Sequence, residues 1–205
     1  MHVRESHTKE FNLSTLLAPE LETLGLGAAA TVPPDYELLT DVWLEFKRRG
    51  RDARAAAYAK RLGKFGLAPI EWLPLARQVA AGFRRRRAGK HHVYVVLLDG
   101  FAKRGERFGM YVGESSRTPE NRLRKHLEGG DVAAQCHRKM RGLLHSLFTN
   151  LNPLHPDEAR ELEVALVLAF ESADLRVKGP RKLKARNCHP TYSAQPQSGQ
   201  VALAP

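Results

Sequence analysis

Two tyrosines in the middle of the chain lie in runs whose composition predicts β-strands. Residues 93–98 (VYVVLL) and 108–113 (FGMYVG) are apolar almost throughout, and turn residues and charges separate them. This pattern predicts an antiparallel hairpin with a long loop. Because side chains alternate between the two faces of a strand, Tyr94 and Tyr111 can project from one face, close to each other. Their phenols could then hydrogen-bond a substrate, with Gly113 leaving space for it, although tyrosines also favour sheets for packing alone.

A basic pair follows on a well-marked helix. Thr118 can cap this helix, Pro119 suits its first position, and Gly129-Gly130 ends it. Arg122 and His126 are four residues apart and therefore share one face. They could contact an anion together, but most such pairs belong to a solvated surface.

Glu163 is the acidic residue with the most unusual position. In the helix predicted over 156–171, positions 159, 163, 166, 167 and 170 share a face and read Ala, Glu, Leu, Val and Phe. The acids at 157, 158 and 161 are expected elsewhere on the helix. A carboxylate directed toward the core is costly unless it meets a cation or hydrogen-bond donors. Two interpretations remain, a metal ligand and the commoner salt bridge to an arginine.

Four consecutive arginines, Arg84, Arg85, Arg86 and Arg87, precede Gly89. They are interpreted either as a solvated helix end, where cations suit the dipole, or as phosphate contacts. The surrounding GFRRRRAGKH lacks the spacing of a phosphate-binding loop.

The only two cysteines, Cys136 and Cys188, predict no disulfide framework and fit a reducing compartment. Each precedes a histidine, His137 or His189, so a structural zinc site is an alternative. Adjacent Cys-His pairs seldom both reach one ion, which argues against it. Asn187 lies in a basic segment and is either a turn residue or a site ligand.

The remaining chain is assigned by periodicity and breakers. Residues 1–34 are expected to form a loose arm with one short helix, and helices are predicted from about 36, over 52–62 and over 70–83. A helix over 132–142 and a third strand over 143–151 are also predicted. The predicted domains are a helical N-terminal module (1–90), a second domain (91–192) and a flexible tail (193–205). The N-terminal module is a candidate for nucleic-acid binding.

The 205-residue chain carries 33 Lys and Arg against 22 Asp and Glu. The excess of basic residues is spread over both halves of the chain, which favours a polyanionic partner. No apolar run approaches the ~20 residues that span a bilayer, and the N-terminus lacks a signal-peptide pattern. We therefore expect a cytoplasmic protein with no membrane partner, associated with the nucleoid if it is prokaryotic.

Residues 92–190 resemble the GIY-YIG nuclease family. Val93-Tyr94-Val95 and Met110-Tyr111-Val112-Gly113 stand where the two family motifs would be. The stretch YVGESSRTPENRLRKH resembles the second strand and the helix that bears the family's Arg and His, and RELEVALVLAF resembles the helix with the metal-binding Glu. His92-Val93 replaces the Gly-Ile of the first motif, and the resemblance does not extend to residues 1–91.

The resemblance implies an α+β domain with a small, three-stranded, mainly antiparallel sheet flanked by helices. It implies phosphodiester hydrolysis in DNA with one Mg²⁺ or Mn²⁺ per active site, held by Glu163. Arg122 would contact the phosphate, Tyr94 is preferred over Tyr111 as proton acceptor, and His126 would orient water or phosphate. Asn187 matches a late family Asn. Further contacts to nucleic acid are expected from Gly113, Arg124, Lys125, His137 and the residues Arg84 to Arg87.

A restriction-type enzyme is the favoured role, and a homodimer is compatible with double-strand cutting. The alternative is a non-catalytic nucleic-acid-binding protein on the same scaffold.

Overall fold

The computed structural model describes residues 12–101, 105–128 and 137–183. The chain divides into two compact units, Met1–Pro69 and Ile70–Pro205.

The first unit is helical. Asp35 caps α2, since its carboxylate accepts a hydrogen bond from Leu38 N at 3.0 Å. The apolar face of α2 is buried and meets α3, where the rings of Phe46 and Tyr58 make an edge-to-face contact with centroids 5.9 Å apart. The helices predicted from residue 36 and over 52–62 are confirmed, and the short helix expected in 1–34 is α1. The bounds are α1 (Ala18–Ala29), α2 (Tyr36–Arg48) and α3 (Asp52–Lys64).

Arg49, just after α2, joins that helix to the segment before α1. Its Nε atom donates to Glu45 Oε1 at 2.7 Å, and its Nη atoms donate to the carbonyl oxygens of Leu13 and Leu16 at 2.7 and 2.8 Å. Arg48 donates to the same carboxylate at 2.6 and 2.7 Å. The nearly buried Glu45 therefore holds two guanidinium groups, one of which fixes the N-terminal segment.

The described residues of the second unit form three α-helices: α4 (Leu73–Ala81), α5 (Pro119–Leu127) and α6 (Pro156–Ser172). They correspond to the helices predicted over 70–83, after Thr118 and over 156–171. The inward side chains of α4, such as Leu73 and Ala76, are fully buried. Because α4 contacts α6, it belongs to the sheet-containing unit, whereas the sequence assigned it to the N-terminal module.

A mixed sheet forms the centre of the second unit. Among the described residues it has four strands in the order β3-β1-β2-β4, with antiparallel pairs between β1 and its two neighbours and a parallel pair between β2 and β4. The α+β class is confirmed, but the predicted three-stranded antiparallel sheet is wrong. The added strand is two residues long, too short to leave a periodic signal. The bounds are β1 (His92–Asp99), β2 (Phe108–Ser115), β3 (Met140–Leu143) and β4 (Val177–Lys178).

The segment before α6 differs most from the prediction. The third strand ends at Leu143, and the residues predicted as strand beyond it form 3₁₀ turns at His145–Leu147 and Thr149–Leu151. The helix predicted over 132–142 is wrong over 137–142, which form a 3₁₀ turn and β3; its remainder lies outside the described residues. Short apolar runs fit several conformations, and here burial of Leu144, Leu147 and Leu151 decides between them.

The sheet is covered on both faces. Tyr94 and the residues of β1 that alternate with it on the same face are directed toward α5. His126 of that helix contacts the Tyr94 hydroxyl. Val112 projects from the opposite face, where Gly179 lies between it and Val167 of α6. Within the part of the chain that is described, no helix has the length and apolar character needed to cross a membrane.

Acid sensitivity of the first unit should depend on Glu45. Hydrogen bonds from Arg48 are the largest cause that lowers the Glu45 pKa from 4.5 to about 2, with a further contribution from Arg49. The charged carboxylate therefore stabilises the fold above pH 4.5, and this contribution is lost as the pH falls toward 2. We expect Glu45→Gln to lower the free energy of unfolding at pH 7 by about 1–2 kcal/mol.

As the pH falls from roughly 5 to 2, the same variant should lose less stability than the parent protein. This window is set by the ordinary pKa of glutamate and the lowered pKa of Glu45. Urea unfolding at several pH values measures both effects. Equal pH dependence in the two proteins would contradict this role of Glu45.

Candidate active site

The two tyrosines meet on the α5 side of the sheet. Tyr94 is opposite Gly113 in the antiparallel register, and Tyr111 is opposite Val96, so both side chains project from the same face. Their ring centroids are 6.1 Å apart with an angle of 44° between the planes. The structure therefore brings together the pair that the strand pattern suggested.

Gly113 makes this arrangement possible. A Cβ atom at this position would lie 2.5 Å from the Tyr94 hydroxyl oxygen and 2.8 Å from Cε1 of Tyr111. Any larger residue would push one of the two rings away. The glycine thus serves the packing of the tyrosines themselves, in the place where the sequence suggested room for a ligand.

Helix α5 places its basic pair against the tyrosines. Thr118 caps the helix through a hydrogen bond from Asn121 N to its hydroxyl, at 3.4 Å. His126 is only 2% exposed, and its Nε2 atom is 3.2 Å from the Tyr94 hydroxyl oxygen. The imidazole also meets the Tyr111 ring edge-on, with centroids 6.2 Å apart. His126 is therefore part of the tyrosine cluster and not of a solvated surface.

Tyr94 is the centre of this cluster. It is 1% exposed, and burial is the main reason why its pKa is raised far above 10. The neighbouring Tyr111 phenol raises the pKa further, while a hydrogen bond and the positive charge of Arg122 partly offset the increase. Tyr94 therefore stays neutral at physiological pH, and its hydroxyl contacts groups from α5 and β2. Tyr111 is half-buried and is the more accessible phenol.

Glu163 approaches from the other side of the sheet. The C-terminal end of α6 lies near Met110 of β2. Leu175 N donates to the carbonyl oxygen of Phe170 at the end of the helix, and the carbonyl oxygen of the next residue, Arg176, accepts from Met110 N. Val167 lies near Val112, so α6 runs antiparallel to β2 and carries the half-buried Glu163 toward the Gly113 end of that strand. Beside β2, the short β4 pairs only with Met110 and Tyr111. Glu163 is therefore at the same end of β2 as Gly113, on the face opposite the tyrosines.

Two other acids of α6 are more buried than Glu163. Glu158 is fully buried, and its two oxygens accept hydrogen bonds from the backbone N–H groups of Arg86 and Arg87 at 2.5 and 2.6 Å. Glu161 pairs with the Arg86 side chain at 3.0 Å. The sequence placed both acids off the apolar face of α6, and they are nevertheless buried, because the linker before β1 folds over the start of that helix. The run of arginines and the acids at the start of α6 were the available signal.

The arginine run follows α4 but is not its end, because that helix stops at Ala81. All four arginines are exposed, yet Glu158 binds the backbone N–H groups of the last two, Arg86 and Arg87. Arg85 also donates to the Asn152 carbonyl at 3.3 Å. The segment is thus a rigid, positively charged connection, and the interpretation as a solvated helix end is wrong.

Asn152 is a positioning residue that the sequence did not reveal. Its side-chain oxygen accepts from Val93 N at 2.9 Å, and its Nδ2 atom donates to Val93 O at 2.8 Å. The side-chain amide therefore pairs with the backbone of β1 as a neighbouring strand would, one residue before Tyr94. Because β3 pairs only with residues 96–98, Asn152 stabilises the part of β1 that β3 does not reach.

Several predicted site residues remain to be placed. Arg124 and Lys125 lie on the exposed face of α5, and Arg124 donates to Asn121 at 3.1 Å. Asn187 and the residues Cys136, Cys188 and His189 of the zinc alternative lie outside the described residues, as does the His137 side chain.

The described residues include a carboxylate, the kind of ligand that a hard divalent ion prefers. Within 12–101, 105–128 and 137–183, no three His, Cys, Asp or Glu side chains cluster as a metal site would require. Mg²⁺ needs fewer protein ligands, since it retains water and is often bound through one carboxylate plus substrate phosphates. A single half-buried Glu163 fits that ligand set.

Comparison of the chain with protein-family models, curated proteins and solved structures finds no match. The geometry described above is therefore the basis for assigning a function.

The close approach at Gly113 can be tested by adding one methyl group. We expect Gly113→Ala to cost about 1–3 kcal/mol of stability, because the new Cβ overlaps Tyr94 and Tyr111. Gly63→Ala is the matched control, since Gly63 lies in α3 with no atom within 4 Å of its added Cβ. The control should gain up to about 1 kcal/mol of helix stability. Thermal unfolding measures both, and equal melting temperatures for the two variants would contradict the packing role.

Proposed function

We propose that the protein is a divalent-metal-dependent endodeoxyribonuclease of the GIY-YIG type, hydrolysing phosphodiester bonds in DNA. The observation that carries the proposal is the convergence of Tyr94, Tyr111, Arg122 and His126 on one face of the sheet. A phosphodiester needs a cation beside its developing charge and polar groups that orient water, and this cluster supplies both.

Arg122 is the proposed phosphate-binding group. It is half-buried and hydrogen-bonded to Tyr94, so its guanidinium group is already oriented when a substrate arrives. The planar fork of donors can bind two phosphate oxygens at once. Such pre-oriented charge stabilises a transition state without the cost of reorganisation.

Tyr111 is the better proton acceptor of the two phenols. The sequence favoured Tyr94, but burial raises the Tyr94 pKa and keeps its hydroxyl among protein groups. Tyr111 is half-buried and can contact the attacking water. Tyr94 then positions His126 and Arg122.

Glu163 would hold the metal ion at the Gly113 end of β2. Bound there, Mg²⁺ or Mn²⁺ would supply Lewis-acid stabilisation of phosphate oxygens. The exposed Arg124, Lys125 and the rigid arginine run would add phosphate contacts that are independent of base sequence. The role that we favour is restriction of DNA in the cytoplasm, at the nucleoid if the protein is prokaryotic. A homodimer would allow double-strand cutting.

Cleavage should be lost when Glu163 or Arg122 is replaced. We expect Glu163→Gln and Arg122→Lys each to reduce plasmid nicking in Mg²⁺ on the order of 10²–10³-fold, because each removes support of the transition-state charge. Both should still bind DNA in a gel-shift assay. Glu128→Gln is the control, since Glu128 is a solvent-exposed carboxylate next to α5, and its activity should be unchanged. DNA binding by the wild-type protein without Mg²⁺-dependent nicking would indicate a non-catalytic binding protein.

The two tyrosines should differ in their effects. Tyr111→Phe is expected to lower the single-turnover cleavage rate by about 10²–10⁴-fold with little change in melting temperature, since it removes the accessible phenol. Tyr94→Phe should also lower the melting temperature, because the buried His126 loses its hydrogen-bond partner. A Tyr111→Phe variant with full activity would contradict this division of roles.

A further inference from the structure

A basic groove follows β4 at the edge of the sheet. It has a volume of about 380 Å³, with Phe101 and Val177 among its apolar lining residues and the cationic side chains of Arg176, Lys178 and Arg181 around them. We call it the β4 groove. None of these residues belongs to the tyrosine cluster or to the arginine run.

Cationic side chains outnumber carboxylates among the described residues that line the β4 groove. Glu171 is the one carboxylate among the described residues that line it, and this side chain pairs with Arg181 at 2.5 Å. The guanidinium group of Arg176 lies over the ring of Phe101, 4.9 Å from its centroid, and Arg176 is exposed. Three cations against one anion favour a ligand that carries several negative charges.

The groove continues from the tyrosine site. Lys178 is opposite Tyr111 in the parallel pairing of β4 with β2, so both residues lie on the same face of neighbouring strands, about 4.8 Å apart. Gly109 is also on this face, two residues before Tyr111, and its missing side chain lets Phe101 pack directly against the strand. Lys178, at one side of the groove, therefore lies on the same face of the sheet as the accessible phenol.

We infer that the β4 groove binds the phosphate backbone of the DNA strand that extends away from the tyrosine site, with Lys178 nearest to the reacting phosphate and Arg176 further along. This inference rests on the proposed function, because it takes its polyanion to be the substrate of that site. An anionic membrane is the less suitable partner, because the cations line a concave groove, whereas a membrane-surface helix presents an exposed apolar face.

Binding without cleavage provides the test. The affinity of the whole protein for a fluorescein-labelled DNA duplex is measured by anisotropy in EDTA at several salt concentrations. The double variant Arg176→Gln/Lys178→Gln should bind more weakly, and the slope of log K against log salt should become shallower by about 2, one phosphate contact for each cation. The charge-matched control Arg160→Gln/Lys60→Gln removes two exposed cations that do not line the groove and should keep the wild-type slope.

Equal slopes in the double variant and the wild type would overturn the inference, as would an equal change in the control. It would also be overturned if the wild-type protein bound vesicles of phosphatidylserine and phosphatidylcholine but no DNA. Plasmid nicking in Mg²⁺ is measured in parallel. A wild-type protein that shows the predicted slopes but no nicking would refute the proposed nuclease activity and support the groove.

Discussion

The register of β1 against β2 is the constraint on which the candidate site depends. It places Gly113 opposite Tyr94, so that the phenol lies across the neighbouring strand and reaches His126. A shift of one residue would move Tyr94 to the face covered by α6. Asn152 bonds both backbone groups of Val93 and so holds the adjoining part of β1 in place. The backbone pairing of β1 with β2 therefore determines which side chains can meet in the tyrosine cluster.

Helix α6 carries acids with different tasks. Glu158 is fully buried and satisfied by two backbone N–H groups, which fixes the basic connection before β1. A buried carboxylate is tolerated only with such donors, and its removal would leave the linker without an acceptor. Glu163 is half-buried and carried toward the Gly113 end of β2. Glu158 organises the fold, whereas Glu163 is the metal ligand only of the proposed function.

Burial also separates the roles of the two phenols. Tyr94 is enclosed, and its raised pKa keeps it neutral, which suits a group that orients its neighbours. Tyr111 lies where β2 meets β4 and faces the same side as Lys178. Arg122 of α5 acts on the adjacent Tyr94, so cationic residues of α5 and β4 lie next to the two phenols.

The sequence alone determined the hairpin of Tyr94 and Tyr111, the capped α5 and the long α6, because strand alternation, capping residues and helical periodicity are local signals. It also determined which side chains could share a face. Only the tertiary structure decided that Tyr94 is enclosed, that Glu158 is the most buried acid of α6 and that β4 extends the sheet beside Tyr111. Burial, pairing over long distances and a two-residue strand leave no local pattern, since they result from contacts between segments far apart in the chain.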